Sequence, residues 1–406
     1  MIYSISFKNF CSFAYSATLS FEDIRKGVET DCDLFVDTPL GAKISKIMIL
    51  IGPNASGKTN ALKVLAFLRW FVVHTFQDLP EEKMGIPIDT FLFSENQESV
   101  SEFELIFEHD KNVYKYVLHV CKAHVVKEEL YRKEETQFFN YLFKRTYNSE
   151  TGKSDILVQM NLKTEVLKEI LRKNVSLIST AVAIKDETLF NFYEYFKNII
   201  TNVWRTGKHW DTSSLGDQKL SIATKEYKRD EKLFKNAEIL LKNFGLLDGV
   251  TIKEGENRTI TGEVKKIFLP YGLHQVNNKI YELLMDFESS GTKNMYVLLN
   301  LLLPVLERGG IAVIDELEID LHPHAIPKII DLFIDPISNP KKSQLLFTSH
   351  SLEILSHLKK EQVSLVEKQR ECKSVLYRLD QIKGVRRDDN LFAKYMAGAY
   401  GAVPDL

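Results

Sequence analysis

The chain is short of everything that would mark a secreted, membrane-bound or metal-clustered protein. Its 406 residues hold only four cysteines, Cys11, Cys32, Cys121 and Cys372. They lie far apart, with no CxxC pair and no Cys/His cluster at zinc spacing, so the sequence predicts reduced thiols rather than a disulfide frame or a zinc site. The opening "MIYSISFKNF" has no basic stretch followed by a long apolar run, so no secretory leader is expected. The longest apolar run, "MYVLLNLLLPVL" (295–306), is broken by Asn300 and Pro304 and is too short to cross a bilayer. A formal net charge of -2 gives no global pull toward nucleic acid or anionic lipid, so any basic surface has to be local. Internal repeats and low-complexity segments are missing too. These absences predict a cytoplasmic protein without a membrane partner.

What is present is an ordinary globular composition, 44% hydrophobic and 27% charged, over a length suited to two units. Strand-like alternation opens the chain and returns in "SEFELIFEHDKNVYKYVLHV" (101–120), where "DKN" predicts a hairpin turn. "KIMILI" (46–51), "GGIAVID" (309–315) and "QLLFTS" (344–349) are short unbroken apolar runs, the pattern of strands buried on both faces. From 127 to 250 apolar residues recur at helical spacing, as in Leu162, Val166, Leu167, Ile170 and Leu171. The predicted division is therefore 1–126, a mostly helical insertion over 127–250, and 251–406. An aromatic set within the insertion (Phe190, Phe192, Tyr193, Phe196, Trp204) reads as core. The lysine-rich stretch 218–242 carries acids throughout and reads as a solvated helix face.

Directly after the first buried run comes "GPNASGKTN" (52–60), which fits G-x-x-x-x-G-K-[ST]. Gly52 and Gly57 let backbone N–H groups turn inward without a Cβ in the way, and Asn54, Ala55 and Ser56 complete the turn. The following helix start, with Asn60 in its first turn, adds partial positive charge. Lys58 would reach the β- and γ-phosphates of ATP, and the Thr59 hydroxyl would bind Mg2+. "IAVIDE" (311–316) ends an apolar strand in two carboxylates; Asp315 would hold Mg2+ and Glu316 would orient or deprotonate the attacking water. "FESSGTKNMYVLLNLLL" (287–303) places Ser289, Ser290 and Gly291 at the start of an apolar helix, where they serve as a cap and could also receive a phosphate. "LLFTSHS" (345–351) brings His350 to the same sheet edge, in position to sense the γ-phosphate.

The order of these pieces resembles the ABC-type ATPase head of the SMC, RecF, RecN and OLD group: an α/β P-loop fold with a mixed central sheet, flanking helices and N-terminal antiparallel strands. The opening "FKNFCSF" resembles the "NFRSF" start of that group, with Cys11 replacing arginine. "LEIDLHP" (317–323) is similar to the D-loop of OLD-like members, with His322 where transporters have aspartate. The ending "YMAGAYGAVPDL" resembles small stand-alone ATPases (AAA_15 and AAA_21; RloA, AbiL, PARIS and Septu-like) of prokaryotic antiphage loci. The resemblance implies a homodimer or higher oligomer in which Ser289 and Gly291 of one subunit close on the ATP held at Lys58 of the other. It also implies an antiphage sensor or scaffold that controls a separate nuclease or toxin effector, the stretch after His350 being too short for a Toprim domain. The alternative it carries is a RecF- or SMC-like DNA maintenance ATPase, for which nucleic acid is an open partner class. A transporter motor is disfavoured because the signature is not LSGGQ-like. Gln97 is the candidate Q-loop glutamine.

Overall fold

The computed structural model describes residues 1–23, 34–93, 100–133, 138–204, 207–208, 213–258 and 264–403. Gln97 and Cys32 lie outside the described residues.

A six-stranded sheet forms the centre. Its spatial order is Ile199–Thr201, Ile311–Ile314, Gln344–Thr348, Ile47–Ile51, Val363–Lys368 and Ser374–Arg378. The first five strands run parallel and the last is antiparallel to its neighbour. Every residue of "IMILI", "IAVI" and "QLLFT" is buried. These runs lack polar alternation because helices or a second sheet cover both faces.

Alternate side chains of each central strand enter two different cores, as a two-residue period requires. Met48, Leu50, Val313 and Leu346 join the first core, with Leu62, Leu65 and Leu68 of the helix Lys58–Asp78. Ile47, Ile49, Ile51, Ala312, Ile314, Leu345 and Phe347 join the second, with Leu299 and Leu302 of the helix Ser290–Arg308. The second core also takes Tyr227, whose hydroxyl donates to the Tyr296 carbonyl at 2.8 Å.

An antiparallel seven-stranded sheet closes over the first core, in the order Lys153–Val158, Phe139–Asn148, Val125–Lys133, Asn112–Val120, Ser101–His109, Ile2–Lys8 and Ala17–Ser20. The expected hairpin turns at Asp110 and Lys111, both at positive φ (47° and 63°). That is the backbone a two-residue turn needs to follow the strand twist.

The reading of 127–250 as mostly helical is corrected. The N-terminal sheet runs on to Val158, and helices begin only at Thr164. The strand Ile199–Thr201 then joins the central sheet as its edge. Of its added strands, Val125–Lys133 carries the strand-like "KEELYRK", while Phe139–Asn148 and Lys153–Val158 show no regular apolar–polar alternation and so gave no strand signal. The aromatic set divides as well: Phe192 and Phe196 are core, while Phe190 and Trp204 are exposed.

One ion pair braces this region. Arg145 and Glu128 are fully buried and meet at 3.2 Å. Arg145 also donates to the carbonyls of Val175 and Arg172, and Glu128 accepts from Tyr116, Ser176 and the Leu177 amide. The network ties the antiparallel sheet to the helix Leu177–Ala183, and its many bonds offset the desolvation of two charges.

A separate three-stranded antiparallel sheet, Gly249–Arg258, Val264–Val276 and Lys279–Leu284, precedes the helix Ser290–Arg308. No helix among the described residues is long and apolar enough to cross a membrane.

Candidate functional site

The strand Ile47–Ile51 ends at the C-terminal edge of the central sheet, and the chain must reverse there into the helix that starts at Lys58. The reversal uses two left-handed positions, Ala55 at φ 62° and Gly57 at φ 111°. Glycine is needed at 52 for space, since a Cβ there would sit 2.0 Å from the Val366 carbonyl oxygen. At Gly57 both conformation and space demand it: a Cβ would lie 2.4 Å from Ser374 Oγ and 2.8 Å from Ser12 Oγ.

Lys58 Nζ donates to the carbonyls of Gly52 (2.7 Å) and Pro53 (3.0 Å), folding the ammonium across the mouth of the loop. Burial pushes its pKa below the ordinary lysine value, opposed by the nearby Asp315, Glu316 and Glu318 carboxylates. Ser56 Oγ is buried and finds no hydrogen-bond partner among the described residues. A buried, unsatisfied hydroxyl in such a loop suits an incoming acceptor such as a phosphate oxygen.

Asp315 and Glu316 follow the strand Ile311–Ile314 at the same sheet edge. Asp315 Oδ2 accepts from the Thr59 hydroxyl at 2.8 Å, and Oδ1 accepts from Thr348 at 2.6 Å. Its backbone is gripped by Asn202, whose amide donates to the Asp315 carbonyl (3.0 Å) and accepts from the Asp315 N–H (2.8 Å). Glu316 sits at φ 51°, and its N–H donates to Thr348 Oγ1 at 2.7 Å. That kink turns the second carboxylate to the same side as the first. His350 Nε2 lies 3.4 Å from Glu316 Oε1, and the His350 N–H donates to Glu318.

One cleft of about 600 Å³ is lined by Asn54, Ala55, Ser56, Gly57, Lys58, Thr59, Asn60, Asp315, Glu316 and His350. Gly52 borders the adjoining cleft with Ser349 and His350. Ser289, Ser290 and Gly291 are elsewhere, in a separate cleft with Asp320, His322 and His324. Ser289 caps the helix Ser290–Arg308, its Oγ accepting from the Thr292 N–H at 3.1 Å. Within one chain, then, the serine pair and the P-loop do not meet.

Thr59 and Asp315 present a hydroxyl and a carboxylate oxygen side by side, a donor set suited to a hard cation that keeps most of its water or shares phosphate oxygens. Among the described residues no group of three or more His, Cys, Asp or Glu could hold a metal by itself. The residues present fit Mg2+ arriving with a nucleotide.

Ser12, Phe93, Lys368 and Cys372 also line the cleft, and the sequence reading passed over them as site residues. Ser12 had a signal, since it lies inside the "NFCSF" segment; Lys368 and Cys372 had none, because only the strand order brings them to the loop. Burial pushes the neighbouring Cys11 thiol up to about 12, so Cys11 is a poor thiolate.

A family model described as "AAA domain, putative AbiEii toxin, Type IV TA system" matches residues 47–356. No curated protein matches the chain. Among solved structures, the SMC head domain from Thermotoga maritima is similar at 13% identity and a TM-score of 0.44, covering 93% of this chain and 98% of that one. An Smc head with an extended coiled coil, bound to the C-terminal domain of ScpA derived from Pyrococcus furiosus, is similar at 11% identity and a TM-score of 0.43, covering 94% and 97%.

Proposed function

The chain belongs to this AAA-domain family of ATPases, and from that premise we propose that it binds and hydrolyses ATP with Mg2+ and closes into a dimer around the nucleotide. The observation that carries the reading is the meeting of three separate sequence segments, Asn54–Asn60, Asp315–Glu316 and His350, in one cleft. The loop amides and the helix start at Lys58 receive the phosphates. Lys58 exchanges its two carbonyl partners for phosphate oxygens, a stronger charge-assisted contact. Thr59 and Asp315 are the residues that would hold Mg2+, which would neutralise charge developing on the phosphates. Glu316 orients the attacking water and accepts its proton, with His350 3.4 Å from the carboxylate and in the same cleft, where it would sense the terminal phosphate.

Ser289, Ser290 and Gly291 stand in their own cleft, which supports a role toward a second copy rather than their own P-loop. A helix start offered from above by the partner would complete the phosphate shell, and hydrolysis would remove the anion both subunits share. The family description, with its toxin and type IV system, supports a setting in prokaryotic defence, where this ATPase acts as sensor or scaffold for a separate effector in the cytoplasm. Sedimentation velocity with Mg2+ and a non-hydrolysable ATP analogue tests the closed pair. A dimer is expected with the analogue and not with ADP; a monomer at every concentration would overturn dimer closure.

A further inference from the structure

Against the phosphate loop lies a pair of serine hydroxyls from the two ends of the chain, Ser12 at the margin of the cleft and Ser374 outside its lining. Ser374 Oγ donates to the Ser56 carbonyl at 2.6 Å and lies 2.8 Å from Ser12 Oγ. Ser12 Oγ in turn accepts from Asn60 Nδ2 at 2.9 Å, and the Ser374 N–H donates to the Ser12 carbonyl at 2.8 Å. Ser374 is almost wholly buried, and 318 residues separate it from Ser56. The two hydroxyls occupy the space that a side chain at residue 57 would need.

We propose that Ser12 and Ser374 are positioning residues for nucleotide binding, a clasp that fixes the direction of the loop amides before any phosphate arrives. The Ser56 carbonyl belongs to the peptide unit whose N–H is that of Gly57. A hydrogen bond that pins this oxygen outward therefore aims the opposite N–H inward, because the peptide is planar. The unit joins Ser56 to the left-handed Gly57, one residue after the left-handed Ala55, where an unrestrained loop has other turns open to it. Asn60 extends the same grip to the first turn of the helix, so loop and helix start are held as one body. Preorganised donors bind more tightly because their ordering is complete beforehand. Ser374 is not among the residues that line the cleft, and it reaches the loop through the Ser56 carbonyl. Ser12 lines the cleft as well as the clasp.

The proposal rests on the reading of the loop as an ATP cradle, and its test separates the two. ATP and ADP affinity, KM, kcat and the melting temperature of the nucleotide-free protein are measured for wild type, Lys58→Ala, Ser12→Ala, Ser374→Ala and the double serine variant. Loss of the clasp weakens ground state and transition state alike, so KM and both dissociation constants should rise about tenfold while kcat at saturation stays within about twofold. The double variant should be little worse than the worse single one, since the two hydroxyls act as a unit. Unchanged nucleotide affinity in both single variants would overturn the clasp, as would a fall in kcat at constant KM or fully additive losses. Should Ser374→Ala fail to fold, Ser12→Ala, at a half-buried turn, reports the same split. Wild type that binds ATP while Lys58→Ala binds it roughly tenfold to a hundredfold more weakly upholds the cradle whatever the serines do; wild type that binds no nucleotide takes both down.

Discussion

The Thr59 hydroxyl donates to Asp315 Oδ2 at 2.8 Å across 256 residues of sequence. This bond joins the helix that follows the phosphate loop to the strand that supplies the acids. It sets the distance at which a cation and a triphosphate would be gripped, and the roles of Lys58, Glu316 and His350 are all referred to it.

Lys58→Ala is expected to weaken ATP binding roughly tenfold to a hundredfold, the loss of a charge-assisted contact. Calorimetry checks it, and wild-type affinity would remove Lys58 from the cradle. A pH series adds a sign. Burial holds the Lys58 pKa below its ordinary 10.5 in the free protein, and phosphate favours the charged form. ATP binding should therefore weaken as pH rises through that lowered pKa, before the ordinary lysine range is reached. In Lys58→Arg, whose side chain stays charged, this decline should vanish.

The serine pair is testable by complementation. Lys58→Ala and Ser289→Arg subunits should each be inactive alone, the first for want of a cradle and the second for want of a partner contact. Mixed, they form heterodimers with one intact composite site, and ATPase activity should return in part. No recovery on mixing would contradict the contact across subunits.

Stability has its own weak point far from the cleft. Arg145→Met leaves Glu128 buried without its cation, which should cost about 3–5 kcal/mol in urea unfolding. Replacing both partners by apolar residues should recover much of that loss. A change below about 1 kcal/mol for Arg145→Met would show that the pair is not a brace.

Much of the site was legible because its signals are local. A buried strand, a glycine-bounded loop and a helix start stand next to one another at 46–60, and two acids end a second apolar run at 311–316. Such signals need only a few adjacent residues. Asn202, Thr348 and Ser374 gave no such sign, because each acts by a bond to a residue dozens or hundreds of positions away. Asn202 was further concealed within a stretch read as helical, whereas it follows the edge strand Ile199–Thr201. The same reading missed the strands Phe139–Asn148 and Lys153–Val158. Their sequences, "FNYLFKRTYN" and "KSDILV", lack a regular two-residue alternation, and helical spacing downstream was extended over them.

The most direct measurement is ATP binding and turnover by Glu316→Gln. This change keeps the size of the side chain and removes the carboxylate that would take the proton. Binding should remain near wild type while turnover falls roughly a hundredfold or more. Turnover at the wild-type rate would contradict the assignment of Glu316 as base, and with it the proposed chemistry of the cleft.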